Sequence, residues 1–234
     1  MAARRPMSAE AIREAKVFFL SESDLFRGLT QLDLDEVERS TTMSTCTRGR
    51  VFYTPGETGE VLFILKRGQV NLYRMTAEGK RLITATLEAG AVFGEMSLIG
   101  QGMLDSYAEA ADDCVLCVMS RVDVERLLGQ HPSVSLRLVE LVAKRLADAE
   151  ERIADVVYKS VPARIATTLL RLSTEANRPV RLSQQDIADM VGTYRETATR
   201  ILNEMRANGL VELRRMQIEV LDRAGLEALA GEPS

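Results

Sequence analysis

The stretch from Arg181 to Gly209, RLSQQDIADMVGTYRETATRILNEMRANG, reads as two short helices joined by a tight turn. Ser183, with Asp186 three residues on, has the form of a capping box, in which a hydroxyl accepts from a backbone N–H of the first turn and a carboxylate reaches back to the cap. Ile187, Ala188, Met190 and Val191 supply the apolar content of the first helix, and Gly192, free to take positive φ, turns the chain. Thr193 is the expected N-cap of the second helix, with Glu196 at its third position and Gly209 as its stop. Within that helix Ala198, Ile201, Leu202 and Met205 follow i, i+3, i+4, i+7 spacing and form the buried stripe. Arg195, Glu196, Thr199 and Arg200 are left on the outer face.

The chemistry of that face suits a DNA major groove. An arginine fork matches the O6 and N7 acceptors of guanine, and a carboxylate accepts from the N4 amino group of cytosine, so two arginines beside one acid fit G·C pairs. Backbone N–H groups at the Ser183 and Thr193 helix starts can grip phosphates and fix register without reading sequence. An ordinary helical hairpin with a solvated charged face would share the caps. The residues beyond Gly209 argue against it: Leu210, Val211 and Leu213, then Ile218 and Val220, bracket a polar, basic tip at Arg214, Arg215 and Gln217, the pattern of a β-hairpin wing. The expected DNA-contacting set is Ser183, Gln184, Thr193, Tyr194, Arg195, Glu196, Thr199, Arg200, Arg214 and Arg215.

At 234 residues the chain is long enough for two modest domains. Its formal charge of −4 and pI of about 5.3 exclude a generally basic nucleic-acid coater, so DNA binding must depend on locally placed arginines. No run of 18 apolar residues occurs and the start, MAARRPMSAEAIREAK, lacks a signal-peptide apolar core, which predicts a soluble, cytoplasmic protein. Three cysteines, Cys46, Cys114 and Cys117, agree with a reducing compartment and are too few for a four-cysteine iron–sulfur site. Cys114 and Cys117 form a CxxC, but in the β-forming run CVLCVM they fall on opposite faces of a strand and are expected to be core thiols. His131, before Pro132, reads as a residue at a helix start with no partner ligands near it. No nucleophile triad, phosphate-binding GxxxxGK[ST] or HExxH is present, so neither an enzyme nor a metal site is expected.

From about Thr45 to Met119 short apolar runs (VFYT, VLFIL, VNLY, LITATL, AVFGEM) alternate with glycine-bearing turns, which indicates a β-barrel or jelly roll. Short helices are expected before it, with Leu25, Phe26, Leu29, Leu32 and Leu34 packing on one end of the barrel. After Arg121 the pattern is helical, and Val139, Val142, Leu146, Ala149, Ile153 and Val156 are spaced 3, 4, 3, 4, 3. Such an a/d seam fits pairing with a second copy, while Leu138, Leu141 and Val157 off the seam suggest a face lying on the chain's own barrel. A two-fold dimer would set its two recognition helices roughly 34 Å apart, one DNA turn, and so require a palindromic site. The expected architecture is α+β: N-terminal helices plus a β-roll sensor domain over 1–130, a long dimerisation helix over 131–158, and a winged helix-turn-helix over 159–234, with Tyr158 to Pro162 as the hinge.

In order and in motif the chain resembles the cyclic-AMP receptor protein and fumarate-nitrate reductase regulator (Crp/Fnr) family of bacterial transcription factors. The resemblance runs throughout, on SDLFRGL at Ser23 to Leu29, PGE at Pro55 to Glu57, Gly68 with Val70, FGEMSL at Phe93 to Leu98, and RETATR at Arg195 to Arg200. It implies that Arg195, Glu196 and Arg200 read a TGTGA-type half-site, with RNA polymerase as a further partner. Tyr194 stands where the cyclic-AMP receptor has a small hydroxyl residue. The resemblance places an effector pocket at Gly94, Glu95, Met96, Asp105, Ser106, Ala149 and Glu150. Glu95 matches the glutamate that takes the ribose hydroxyl, but the Arg-Ser pair for the cyclic phosphate falls at Asp105 and Ser106, and Ala149 and Glu150 replace hydroxyl residues that touch adenine. An anion facing a phosphate repels it by about 1 kcal/mol at 4 Å in water and several-fold more in a pocket, so cyclic AMP is not the expected effector. No haem ligand set or N-terminal cysteine cluster is present, and no cofactor is expected. Three modes of control stay open: another small ligand in the barrel, activity without ligand, or thiol oxidation at Cys46, Cys114 or Cys117. The alternative from another class is a ligand-binding regulatory module whose C-terminal hairpin merely docks on a protein partner.

Overall fold

Thr30 closes a capping box with Asp33, and that box starts helix α2 (Gln31–Ser40), which comes after α1 (Ala9–Glu22) and a turn. In the turn Leu25 and Phe26 are buried, and Leu34 and Val37 line the inner face of α2. Leu32 lies on the other face of α2, 80% exposed, and does not join this packing as the sequence pattern suggests. Two residues from Leu34 on a helix is about 200° around the axis, so one of the two must face out.

The computed structural model describes residues 9–57, 61–94, 106–173, 180 and 182–231. The chain divides into two units, Met1–Leu72 with Ala85–Lys144 and Tyr73–Thr84 with Arg145–Ser234.

The first unit carries the β-roll. Its strands are β1 (Thr41–Cys46), β2 (Val51–Tyr53), β3 (Val61–Arg67), β4 (Val70–Met75), β5 (Arg81–Leu87), β6 (Val92–Phe93), β7 (Tyr107–Ala110) and β8 (Cys114–Ser120), of which β4 and β5 run on into the second unit. They form two four-stranded sheets, ordered β1-β8-β3-β6 and β2-β7-β4-β5. Period-two alternation sends one set of side chains between the sheets and the other set to the helices. Leu65, Phe93, Cys114 and Leu116 meet Tyr53, Val70, Leu87 and Ala108 in the inter-sheet core. Leu62, Ile64, Cys117 and Met119 pack instead with Leu20, Phe26 and Val37. Cys114 and Cys117 therefore sit on opposite faces of β8, as the strand reading requires. Lys16, buried among these helices, directs its Nζ to the carbonyls of Glu38 and Thr41 and to the Glu38 carboxylate. These satisfied bonds allow the charge to be buried.

Helix α3 (Arg121–Gln130) is capped by Ser120, and His131 ends it immediately before α4 (Pro132–Tyr158). Leu138 and Leu141 pack partly on the core of the first unit. The seam is open to solvent: Val139 is 63% exposed, Leu146 60% and Ile153 65%. Val157, expected on the inward face, is 59% exposed and belongs with the outward set.

In the second unit Ser160 caps α5 (Val161–Leu172), with Pro162 in its first turn, where a missing N–H costs nothing. Helices α6 (Gln184–Val191), α7 (Arg195–Ala207) and α8 (Arg223–Ala230) and the hairpin β9 (Val211–Arg214) and β10 (Gln217–Val220) complete it. One core joins them: Ile165, Leu169, Ile187, Val191, Ile201, Leu202, Met205, Ile218 and Leu226 are all buried.

Candidate nucleic-acid interface

Helix α6 starts as its sequence dictates. The Ser183 hydroxyl accepts from Asp186 N–H at 3.1 Å, and the Asp186 carboxylate accepts from Ser183 N–H at 2.8 Å. The helix ends at Gly192, whose φ of 69° and ψ of 39° lie in the left-handed region that a Cβ disfavours. Thr193 N–H then donates back to the Ala188 carbonyl at 3.0 Å, which closes the turn and buries Thr193. That bond corrects the expected cap. With Thr193 engaged in ending α6, the N-cap of α7 is Tyr194, which makes no side-chain cap bond, and Glu196 is the second residue of the helix.

Beyond that shift, α7 is built as the spacing requires. Ala198, Ile201, Leu202 and Met205 are buried, and Arg195, Glu196 and Arg200 are exposed on the opposite side. Arg195 and Glu196 make no hydrogen bond or ion pair to any described residue, whereas Arg200 pairs with Glu204 at 2.7 Å. Both partners of that pair are more than half exposed, and an i,i+4 pair of this kind contributes about 0.3–0.5 kcal/mol, so a guanine edge can displace it. Thr199, half-buried, donates to Gln184 Oε1 at 2.8 Å and ties the two helices together. In the wing, β9 and β10 pair in register from Val211↔Val220 to Arg214↔Gln217, leaving Arg215 and Met216 as the loop. Met216 takes φ of 57°, and Arg214 pairs with Glu219 at 3.2 Å.

The structure also brings to this surface residues that sequence pattern does not single out. Asp189, only 4% exposed, is buried in the middle of α6, where Gln185 donates to it at 2.6 Å and Arg81 approaches to 3.8 Å. Burial pushes the Asp189 carboxyl above its ordinary value of 3.8, against the opposing hydrogen bond from Gln185 and the charge of Arg81. The guanidinium of Arg81 also lies over the Tyr73 ring, and Lys80 Nζ lies 4.2 Å from the Tyr194 ring centroid and 3.4 Å from the Gly192 carbonyl. Within the second unit the Tyr73–Thr84 hairpin tip therefore buttresses the turn that launches α7, and Arg152 anchors the same hairpin by donating to the Ile83 and Thr84 carbonyls. The local signal for Asp189 is an acid within an otherwise apolar run; its partner lies more than a hundred residues away.

Of the candidate effector residues, Glu95, Met96 and Asp105 lie outside the described residues. Gly94 has φ of 89°, and a Cβ there would come within 2.7 Å of the Val61 carbonyl. Ala149 and Glu150 are exposed on α4. A cavity of about 680 Å³ in the roll is lined by other residues, among them Ser44, Cys46, Arg50, Phe52, Phe63 and Cys114. No cluster of metal-ligating side chains occurs among the described residues. No helix among them is long and apolar enough to cross a membrane.

A two-helix reader with an open arginine–glutamate face and a basic wing, joined by a long helix to a β-roll, defines a DNA-binding regulator with a sensor-type domain. Family models agree on both parts: residues 44–131 match the cyclic nucleotide-binding domain and residues 163–229 the Crp-like helix-turn-helix domain. The cyclic AMP receptor protein of Thermus thermophilus is 30% identical over 209 residues, spanning 89% of this chain and 97% of that protein. The CRP-like cAMP-activated global transcriptional regulator of Mycobacterium tuberculosis is 25% identical over 87% of this chain and 94% of its own length. Among solved structures, FixK2 from Bradyrhizobium japonicum aligns with a TM-score of 0.73 and 26% identity, covering 83% of this chain and 99% of FixK2. The chain belongs to the Crp/Fnr family and is a DNA-binding transcription regulator, a class without enzymatic activity.

Proposed function

We propose that the protein is a homodimeric, sequence-specific regulator that binds a palindrome of two TGTGA-like half-sites and is not controlled by cyclic AMP. The observation that carries the half-site reading is the outer face of α7, where Arg195, Glu196 and Arg200 stand exposed over a fully buried stripe. Two forks and one carboxylate on successive turns match the acceptors of guanine and the donor of cytosine. Gln184 and Tyr194, with Arg214 and Arg215 of the wing, then serve to hold the phosphate backbone. Their hydrogen-bonding groups lie at helix starts or the hairpin tip, where contacts fix register. Thr193 is buried with its N–H on the Ala188 carbonyl, and the Ser183 N–H and hydroxyl are taken up by Asp186, which removes both from the expected contacts.

The homodimer reading is supported by the α4 seam, whose five large apolar side chains are all exposed in the single chain. Apolar residues in an a/d pattern left open to water are expected to meet a second copy. The residues divide accordingly into a sensor domain over 1–130, a dimerisation helix over 131–158 and a DNA-binding domain over 159–234. Independence from cyclic AMP rests on sequence chemistry: the family resemblance matches Asp105, an acid, to the position where the cyclic phosphate needs a guanidinium, and Ala149 and Glu150 to positions that carry adenine-facing hydroxyls. RNA polymerase is the partner through which a regulator of this kind acts. The test is Arg195→Ala in fluorescence anisotropy against duplexes differing at the guanine of the half-site. Direct readout predicts a loss of about 1 to 3 kcal/mol for the preferred duplex and relaxed preference at that base. Unchanged affinity and preference would count against the assignment.

A further inference from the structure

Cys46 and Cys114 stand directly opposite one another in the antiparallel β1–β8 ladder. Cα atoms of opposed residues in such a ladder are about 4.5–5.5 Å apart, inside the roughly 4.4–6.8 Å that a disulfide spans. The Cys114 thiol is held on the Gln69 and Asp112 carbonyls, to which it donates at 3.4 and 3.2 Å. Both line the cavity of the roll, Cys46 half-buried at it and Cys114 buried. Gly68 fixes the position of the second sulfur: at φ of 93° a Cβ there would lie 2.7 Å from Cys114 Sγ, so only glycine leaves that space. Cys117 faces the helices on the other side of β8 and is not a competing partner.

We propose that Cys46 and Cys114 form a redox-modification site that closes to a disulfide on reaction with a small hydroperoxide and reopens with a dithiol. Cys46, reachable through the cavity, reacts first. Its thiolate attacks one oxygen of hydrogen peroxide, the O–O bond breaks, and the departing hydroxide takes up the proton lost from Cys46 to leave as water. Cys46 is then a sulfenic acid. Cys114 gives up its proton and attacks the Cys46 sulfur; the S–S bond forms, the S–O bond breaks, and hydroxide leaves with that proton as a second water. Two thiols are oxidised by two electrons in all, and one peroxide is reduced to two waters. Cys114 is suited to react second because burial, and after it the charge of a neighbouring Cys46 thiolate, push its thiol up to about 11; that charge is gone once Cys46 is a neutral sulfenic acid.

The test uses the purified full-length protein, reduced and then exposed to hydrogen peroxide, with thiols counted by Ellman's reagent after denaturation. The count should fall from three to one, with a tryptic species linking the Cys46 peptide to the Cys114 peptide that dithiothreitol releases. Cys117→Ser should still form the link, which removes ambiguity about the partner, and Cys46→Ser should not. In Cys114→Ser the sulfenic acid should accumulate at Cys46 and be labelled by dimedone. A count that stays at three, a link to Cys117 or between molecules, or Cys46 oxidised to sulfinate in the wild type without a link would overturn the proposal. The wild-type peptide map needs no variant to fold.

Discussion

Truncation of Leu146 to alanine should separate the two subunits without harming the single chain. Leu146 is 60% exposed, at the middle of the α4 seam. The change removes three carbons, each worth about 0.8 kcal/mol of burial, and with roughly 60% of that surface available to the partner helix the loss is about 1.4 kcal/mol per subunit. A two-fold interface contains the position twice, so the dimer loses about 3 kcal/mol, or roughly a hundredfold in dissociation constant. Alanine is the best helix former, so α4 itself should persist. Sedimentation equilibrium measures the dissociation constant directly. Val122→Ala on α3, 70% exposed but off the seam, is the control and should leave it unchanged. If Leu146→Ala stays within about threefold of the wild type, far less than a hundredfold, the seam is not the dimer interface.

Other consequences are as open to measurement. Gly192→Ala should destabilise the DNA-binding unit by about 1–2 kcal/mol through left-handed strain rather than collision, since a Cβ there meets only Leu82 Cδ1 at 3.5 Å. Gly192→Asn should recover part of that loss in urea unfolding, and an alanine variant as stable as wild type would contradict the turn geometry. Ser183→Ala should lower the stability of the same unit by about 1 kcal/mol, as loss of a capping box does. Asp189, with its pKa raised in the folded state, binds more protons folded than unfolded. Its stabilising contribution is therefore full below pH 3.8 and lost as pH rises through the folded-state value, so wild type should lose stability relative to Asp189→Asn across that window in denaturation series. Parallel curves for the two proteins would remove Asp189 from this role. Arg214→Ala and Arg215→Ala should weaken binding to all duplexes alike and flatten the salt dependence, which titrations at several ionic strengths will show.

The parts of the fold visible in the sequence are those set by neighbours within a few residues. The Ala198, Ile201, Leu202, Met205 stripe, the Ser183 box and the left-handed Gly192 are local consequences of helix period and turn sterics, and the structure holds all three. Thr193 is not the cap that residue preference suggests because the first bond of α7 runs from Ala198 N–H to the Tyr194 carbonyl, a start point that depends on how the turn closes. Leu32 and Val157 carry apolar side chains that stand 80% and 59% exposed, which periodicity alone does not distinguish from core. The longer the separation, the less the sequence discloses. Asp189 is buried because Arg81 reaches it from a distant hairpin, and Cys46 faces Cys114 through the register of two strands far apart in the chain. The CxxC spacing sets Cys114 and Cys117 side by side in the sequence, while the β-strand period separates them onto opposite faces of β8, as the structure has them.

The central claim is tested most directly by fluorescence anisotropy of the purified protein at stated salt, with and without cyclic AMP, on a palindrome of two TGTGA half-sites and on a scrambled duplex. The account predicts a preference for the palindrome that cyclic AMP leaves unchanged. Equal affinity for the two duplexes would contradict direct readout by Arg195, Glu196 and Arg200, and a preference that arises only when cyclic AMP is added would contradict the reading of Asp105.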